Sequence, residues 1–122
     1  MNKVGLIVSV ALIGMLSIGN SAYAASALAW SPSTNATAHA NGFDNVTAAS
    51  IAAIIECNAH ANGADDCYVV QSTSRGCIAL ATGDTKAAWS DPWTTYRGAV
   101  NEALEICNKV TDNCIWREYA CN

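Results

Sequence analysis

Six cysteines constrain this chain more than any other feature: Cys57, Cys67, Cys77, Cys107, Cys114 and Cys121, an even count in 122 residues. A core of this size yields only a few kcal/mol of net stability, and each disulfide typically adds about 2 to 4 kcal/mol. In an oxidising compartment such a set reads as a framework of bridges. Zinc is the competing use of the sulfurs, but the chain has no Cys-x-x-Cys pair and no cysteines and histidines at finger spacing. No metal and no cofactor are expected.

The N-terminus points to that compartment. Met1 to Ala24 carries one charge at Lys3, an apolar run from Val4 to Ile18 and the small-residue pattern Ala22-Tyr23-Ala24, the layout of a cleaved signal peptide. The run falls short of the about 20 apolar residues that a spanning helix needs. A second cut, after Ala25-Ser26-Ala27, stays open. Removing residues 1–24 leaves 25–122 as a single domain with five basic against ten acidic side chains, a net charge of −5. Because the basic residues (Arg75, Lys86, Arg97, Lys109 and Arg117) are scattered, nucleic acid and anionic lipid are poor partners. Charged residues make up only 13% of the chain, but 52% apolar content calls for a folded core. The expected product is secreted or periplasmic, with no membrane insertion after cleavage.

The rest of the chain is written twice. A shift of 50 residues lays Leu28-Ala29-Trp30 over Ile78-Ala79-Leu80, Phe43 over Trp93, Ala49 over Ala99, Ala53 over Ala103 and Cys57 over Cys107. Shortening the next loop puts Cys67 over Cys114, and a further shortening puts Cys77 over Cys121. The repeats are 27–76 and 77–122.

Each repeat reads as strand, turn, strand, helix, strand. The opening strands are near Ala27 to Ser31 and Cys77 to Ala81, with turn residues Pro32-Ser33-Thr34-Asn35 and Thr82-Gly83-Asp84-Thr85 after them. Short alanine-rich strands return over Ala36 to Ala40 and Lys86 to Ser90. The first helix starts at Asp44 or Thr47 and runs to about Ala61; the second starts at Thr94 or Thr95 and runs to about Lys109. In the second, Tyr96, Val100, Ala103, Leu104 and Cys107 form the stripe that faces the sheet. The last strands are Cys67 to Ser72 and Cys114 to Ala120. A cysteine ending each helix and another opening each last strand predict Cys57–Cys67 and Cys107–Cys114, leaving Cys77–Cys121 to join the two halves. This is one of 15 pairings that six cysteines allow. The fold class is α+β: two strand-strand-helix-strand repeats forming an antiparallel sheet with two helices on one face, stabilised by disulfides.

These residues resemble a family of small exported bacterial proteins catalogued as domain of unknown function 4189 (DUF4189). The matching features are Ala27-Leu28-Ala29-Trp30-Ser31-Pro32, an alanine-rich helix ending in cysteine, Asp66-Cys67-Tyr68-Val69-Val70, and Gly76-Cys77-Ile78-Ala79-Leu80 opening the second copy. The chain departs from the family between Ser33 and Asn45, where relatives often carry a glycine- and aromatic-rich hairpin. The resemblance implies secretion and a repeated, disulfide-linked domain; it carries no activity. With a bacterial resemblance, the glycosylation patterns Asn35-Ala36-Thr37 and Asn45-Val46-Thr47 read as accidental.

Chemistry is sparse. His39 and His60 are imidazoles able to act as base or ligand, but His39 sits on a strand where the other repeat has Trp89, and His60, near Asp65 and Asp66, leaves a helix end where a histidine suits the dipole. Glu102 and Glu105 share a solvated helix face, while Glu56 and Glu118 have no visible mate. No Gly-x-Ser-x-Gly elbow and no phosphate loop occurs. Aromatic residues are the strongest signal: Trp89, Trp93 and Tyr96 cluster at the hairpin-to-helix junction. They read as a recognition surface or, for Trp93, as a staple on the following helix. Trp30 and Trp116 read as strand core.

The leading expectation is a non-enzymatic binding or inhibitor-like module whose partner is another protein or a glycan, bound through Trp89, Trp93 and Tyr96. The alternatives are a small envelope hydrolase using His39 or His60 with an acidic partner, and a structural envelope protein. A histidine within hydrogen-bond reach of a carboxylate in a cleft would favour the hydrolase.

Overall fold

The computed structural model describes residues 24–122, so the expected signal peptide lies, apart from its last residue, outside the described residues. The order is β1 (Ala25–Trp30), β2 (Thr37–Phe43), α1 (Val46–His60), β3 (Tyr68–Thr73), β4 (Cys77–Thr82), β5 (Ala87–Trp89), α2 (Tyr96–Val110) and β6 (Ile115–Cys121). Both repeats therefore fold as strand, strand, helix, strand. Among the described residues all pairing is antiparallel, in two three-stranded sheets ordered β2-β1-β3 and β5-β4-β6.

The helices begin where side-chain oxygens cap free backbone N–H groups. Asn45 Oδ1 accepts from Ala48 N at 2.8 Å, so α1 is capped between the two starts expected, while Thr95 Oγ1 accepts from Gly98 N at 3.1 Å. Each helix buries a matched stripe, Ala49, Ala53 and Cys57 in α1 and Ala99, Ala103 and Cys107 in α2. Ala99 thus takes the place expected of Val100, which is half-buried, and Tyr96 stays exposed. Methyl side chains let each helix sit close to its sheet, against Ala25, Ala27 and Ala29 in one unit and Cys77, Ala79 and Ala81 in the other.

The large apolar side chains lie on the other faces of the central strands. Leu28 meets Ile78, Leu80 and Ala120, with Trp30, Val70, Ala87 and Trp89 packed around them. A strand presents alternate residues to opposite faces, so β1 gives its alanines to the helix and Leu28 to the other sheet. The expected antiparallel α+β architecture, with a helix on one face of the sheet, holds within each unit. The sheet itself is divided in two, and the layers run helix, sheet, sheet, helix.

Register corrects the alignment of the repeats. Leu28 lies between His39 and Gln71, as Leu80 lies between Trp89 and Glu118. Leu28 therefore corresponds to Leu80, two residues beyond Ile78. The first hairpin closes with Ser31 N donating to Ala36 O and the second with Gly83 N donating to Lys86 O, a turn two residues shorter. A two-residue slip keeps every side chain on its face, which is why the hydrophobic pattern survived the misalignment.

The bridges are Cys57–Cys67, Cys107–Cys114 and Cys77–Cys121. The first two pin each helix to its following strand. The third does not join the halves as expected: Cys77 and Cys121 pair across β4 and β6 inside the second sheet, Cα to Cα 4.0 Å. On the corrected register Cys77 corresponds to Ala25, and Cys121 follows Ala120 as Ser74 follows Thr73. The units are held together by the Leu28 cluster and by side-chain bonds such as Ser26 Oγ to Asn122 Oδ1, 2.8 Å, and Gln71 Nε2 to Ser90 O, 2.9 Å.

Candidate functional site

A β-bulge in β6 builds the site. Leu80 pairs with Glu118, but the next residue, Ala81, pairs with Trp116, so Arg117 is the extra residue. Without the bulge Trp116 and Tyr119 would point to opposite faces. With it both lie on the face that carries α2. Tyr96 of α2 stacks on Tyr119 with ring centroids 5.1 Å apart and planes at 25°, and Trp116 lies 5.9 Å from Tyr119. All three are exposed, Trp116 by 50%. Together with Arg97, Val100 and Asn101 they line a hollow of about 240 Å³. The Arg97 guanidinium lies 6.0 Å from the Tyr96 ring centre, and the Tyr96 side chain, through its hydrogen bond, raises the Arg97 pKa above its ordinary value.

Past the edge of that hollow, the bulge turns Glu118 and Arg117 toward β2. Glu118 Oε1 lies 2.6 Å from His39 Nδ1, and its Oε2 accepts from Thr37 Oγ1 at 2.8 Å. A carboxylate only accepts, so His39 donates through Nδ1. Arg117 Nη1 donates to Asn35 O at 3.3 Å and Thr82 Oγ1 at 3.2 Å. A groove of about 430 Å³ opens here, lined by His39, Asn41, Glu118, Arg117 and again Trp116 and Tyr119.

The structure disperses the three aromatic residues singled out in the sequence. Trp89 packs into the seam between the sheets with Leu28 and Leu80. Trp93 serves as the staple: its ring lies on Gly98, where an added Cβ would collide with it, and its Nε1 donates to Glu102 at 2.9 Å. Tyr96 alone joins the aromatic face. Trp116, expected in the core, is exposed because the bulge turns it outward; Trp30 is half-buried against Tyr68, its Nε1 bonded to Asn35. His60 lies 3.7 Å from Glu56, one turn earlier. Glu118, expected to stand alone, is paired with His39 from the other unit. Trp116 and Tyr119 escaped the sequence reading because strict alternation separates them. The signal was in the repeat itself, which has Val69 and Ser72 at the corresponding positions.

Elsewhere, Asp66 ties the first hairpin to the loop before β3. It accepts from Ser31 Oγ at 2.5 Å and Ser33 N at 3.1 Å, and these bonds lower its carboxyl pKa below the ordinary value. Among the described residues no group of three or more His, Cys, Asp or Glu is arranged to hold a metal ion, and no helix is long and apolar enough to cross a membrane.

No curated protein and no solved structure matches the chain significantly. A family model described as Domain of unknown function (DUF4189) does, over residues 25–121, from the first residue of β1 to the last of β6. This small disulfide-bonded domain of two strand-strand-helix-strand units therefore belongs to the DUF4189 family.

Proposed function

We propose that the protein is an exported, non-enzymatic binding module that holds its partner on the face formed by Tyr96, Trp116 and Tyr119. One observation carries this reading. On the same backbone, the first unit places Val46, Val69 and Ser72 where the second has Tyr96, Trp116 and Tyr119. The scaffold therefore folds without those rings. Aromatic side chains dominate recognition energies because they bury large area at low entropic cost, and here three stand together partly in solvent. Export to the periplasm or medium is supported by the expected signal peptide and by the pairing of all six cysteines.

The test is paired affinity capture from the envelope and medium of the producing cells, with the native protein and a Trp116→Val/Tyr119→Ser variant as baits. The variant carries the residues of the sister unit and should melt like the native protein. A component retained by the native bait and lost by the variant is expected. Equal retention by both baits overturns the assignment of this face.

A second reading, a small hydrolase, draws on one observation, the 2.6 Å contact of His39 with Glu118. A carboxylate bonded to one imidazole nitrogen leaves the other free to act as a base. Ester and glycoside turnover assays on the native protein and on His39→Asn decide it. The binding-module reading expects no turnover from either; activity lost in His39→Asn would replace that reading.

A further inference from the structure

We infer that the ligand is a neutral oligosaccharide, lying in one groove that runs from the aromatic face across β6 to the His39–Glu118 pair. This rests on the binding-module reading above and names its ligand class.

The two units stop being alike at the seams between their sheets. Repeating the fold creates two related seams between the sheets. At one, the register sets Trp89, Gln71, Val70 and Ala87; at the other, the corresponding residues are His39, Glu118, Arg117 and Thr37. In the first seam Trp89, Val70 and Ala87 pack against the Leu28 cluster. In the second, His39, Glu118 and Arg117 line an open groove of about 430 Å³, with Thr37 behind them donating to the Glu118 carboxylate. The fold closes its seam with apolar side chains in one place and leaves it polar in the other, so the polar set is not a requirement of the scaffold.

This second departure from symmetry adjoins the first. Trp116 and Tyr119 line both the 240 Å³ hollow and the 430 Å³ groove, and Glu118 lies between them on the strand. The combined surface has ring faces at one end and His39, Asn41 and Glu118 at the other. A pyranose matches both: its C–H face stacks on an aromatic ring, and its hydroxyls need partners that donate and accept in one plane. Glu118, with His39 and Thr37 on its oxygens, is held in place rather than free to turn. A net charge of −5 over residues 25–122 disfavours polyanionic glycans. A flat protein partner needs about 800 Å² on each side, and a groove with aromatic and polar ends suits a chain better.

Titration of the native protein with chitotetraose, cellotetraose and maltotetraose, followed by calorimetry and by amide and indole NMR shifts, tests this. At least one should bind saturably, shift the Trp116 indole and the His39 ring together, and bind at least about tenfold tighter than its monosaccharide. Trp116→Val should weaken it by about tenfold or more, the loss of a stacked ring. Glu118→Gln, which keeps size and carries the sister residue, should weaken it severalfold without moving the melting temperature greatly. No response to any of the three at about 10 mM overturns the glycan assignment, as does binding that Trp116→Val leaves unchanged. If the capture experiment then retains a protein on the same face, the binding module stands with a different ligand. If capture also fails, both readings fall.

Discussion

His39 Nδ1 lies 2.6 Å from Glu118 Oε1, and the two residues come from different units. The contact joins β2 of the first sheet to β6 of the second, beside Thr37 on the same carboxylate. Half the His39 side chain is exposed, so solvent screens the pair. A double-mutant cycle of His39→Ala and Glu118→Ala should return a coupling of about 0.5 to 1 kcal/mol. Glu118→Ala alone should cost about 1 to 2 kcal/mol, since it also strips Thr37 of its acceptor. Urea unfolding measures all four corners. Zero coupling would show that the two sheets are held without this contact.

All three bridges stay within a unit, and this has a direct test. Arg75 lies exposed in the turn between β3 and β4, with Thr73 Oγ1 donating to its carbonyl. Limited trypsin cleavage after Arg75 should release two pieces that separate on a non-reducing denaturing gel. Both should stay associated under native conditions through the Leu28 cluster. Pieces that remain joined until reduction would mean a bridge between the units. The bridges should also differ in worth. Chain-entropy arithmetic gives about 4 kcal/mol for Cys77–Cys121, which spans 44 residues, against about 2.5 kcal/mol for the two short loops of 10 and 7. Paired Cys→Ser variants compared by denaturant unfolding should rank in that order.

Asp66 should make stability depend on pH at the acid end. Its bonds from Ser31 and Ser33 hold the folded carboxyl pKa below the ordinary 3.8. A group depressed in the folded state contributes stability above its unfolded pKa, and that contribution is lost as pH falls through the folded value. Asp66→Asn should therefore be less stable than the native protein at neutral pH, and the gap should close below about pH 4. Thermal melting of both proteins from pH 7 to pH 2 measures it. A gap that persists unchanged at pH 2 would place the effect in packing rather than ionisation.

The layout was largely legible because the chain states it twice. Cysteines at matching points in each repeat gave Cys57–Cys67 and Cys107–Cys114, the two left over gave Cys77–Cys121, and the periodicity of the second helix placed Ala103 and Cys107 on its buried stripe. What escaped was set by three features. One is the bulge at Arg117, which overrides the period of two and moves Trp116 from the expected core to the surface. Another is the shorter second hairpin, invisible to a gapless shift because the slip is even. The third is the stacking of the sheets. It depends on which face holds Leu28, Ile78 and Leu80, and it alone brings Glu118 to His39 across 79 residues of sequence. Contacts of that kind follow from tertiary packing, which no local pattern encodes.

The repeat also supplies a control for the outer face of α1. Ile51 and Ile55 are 55% and 65% exposed, one turn apart, and the corresponding residues of α2 are Asn101 and Glu105. These positions contribute little to the core, whose stripe is Ala49, Ala53 and Cys57. Replacing both by the sister residues, Ile51→Asn/Ile55→Glu, should change folding stability by no more than about 0.5 kcal/mol per site. Removing two exposed isoleucines should also lower self-association at high protein concentration, because they form an apolar patch with no polar residue between them on that turn. Sedimentation velocity and thermal melting read the two effects separately. A loss of several degrees in melting temperature would mean that Ile51 and Ile55 pack against something in the folded protein, and would reassign this face from bare surface to structural contact.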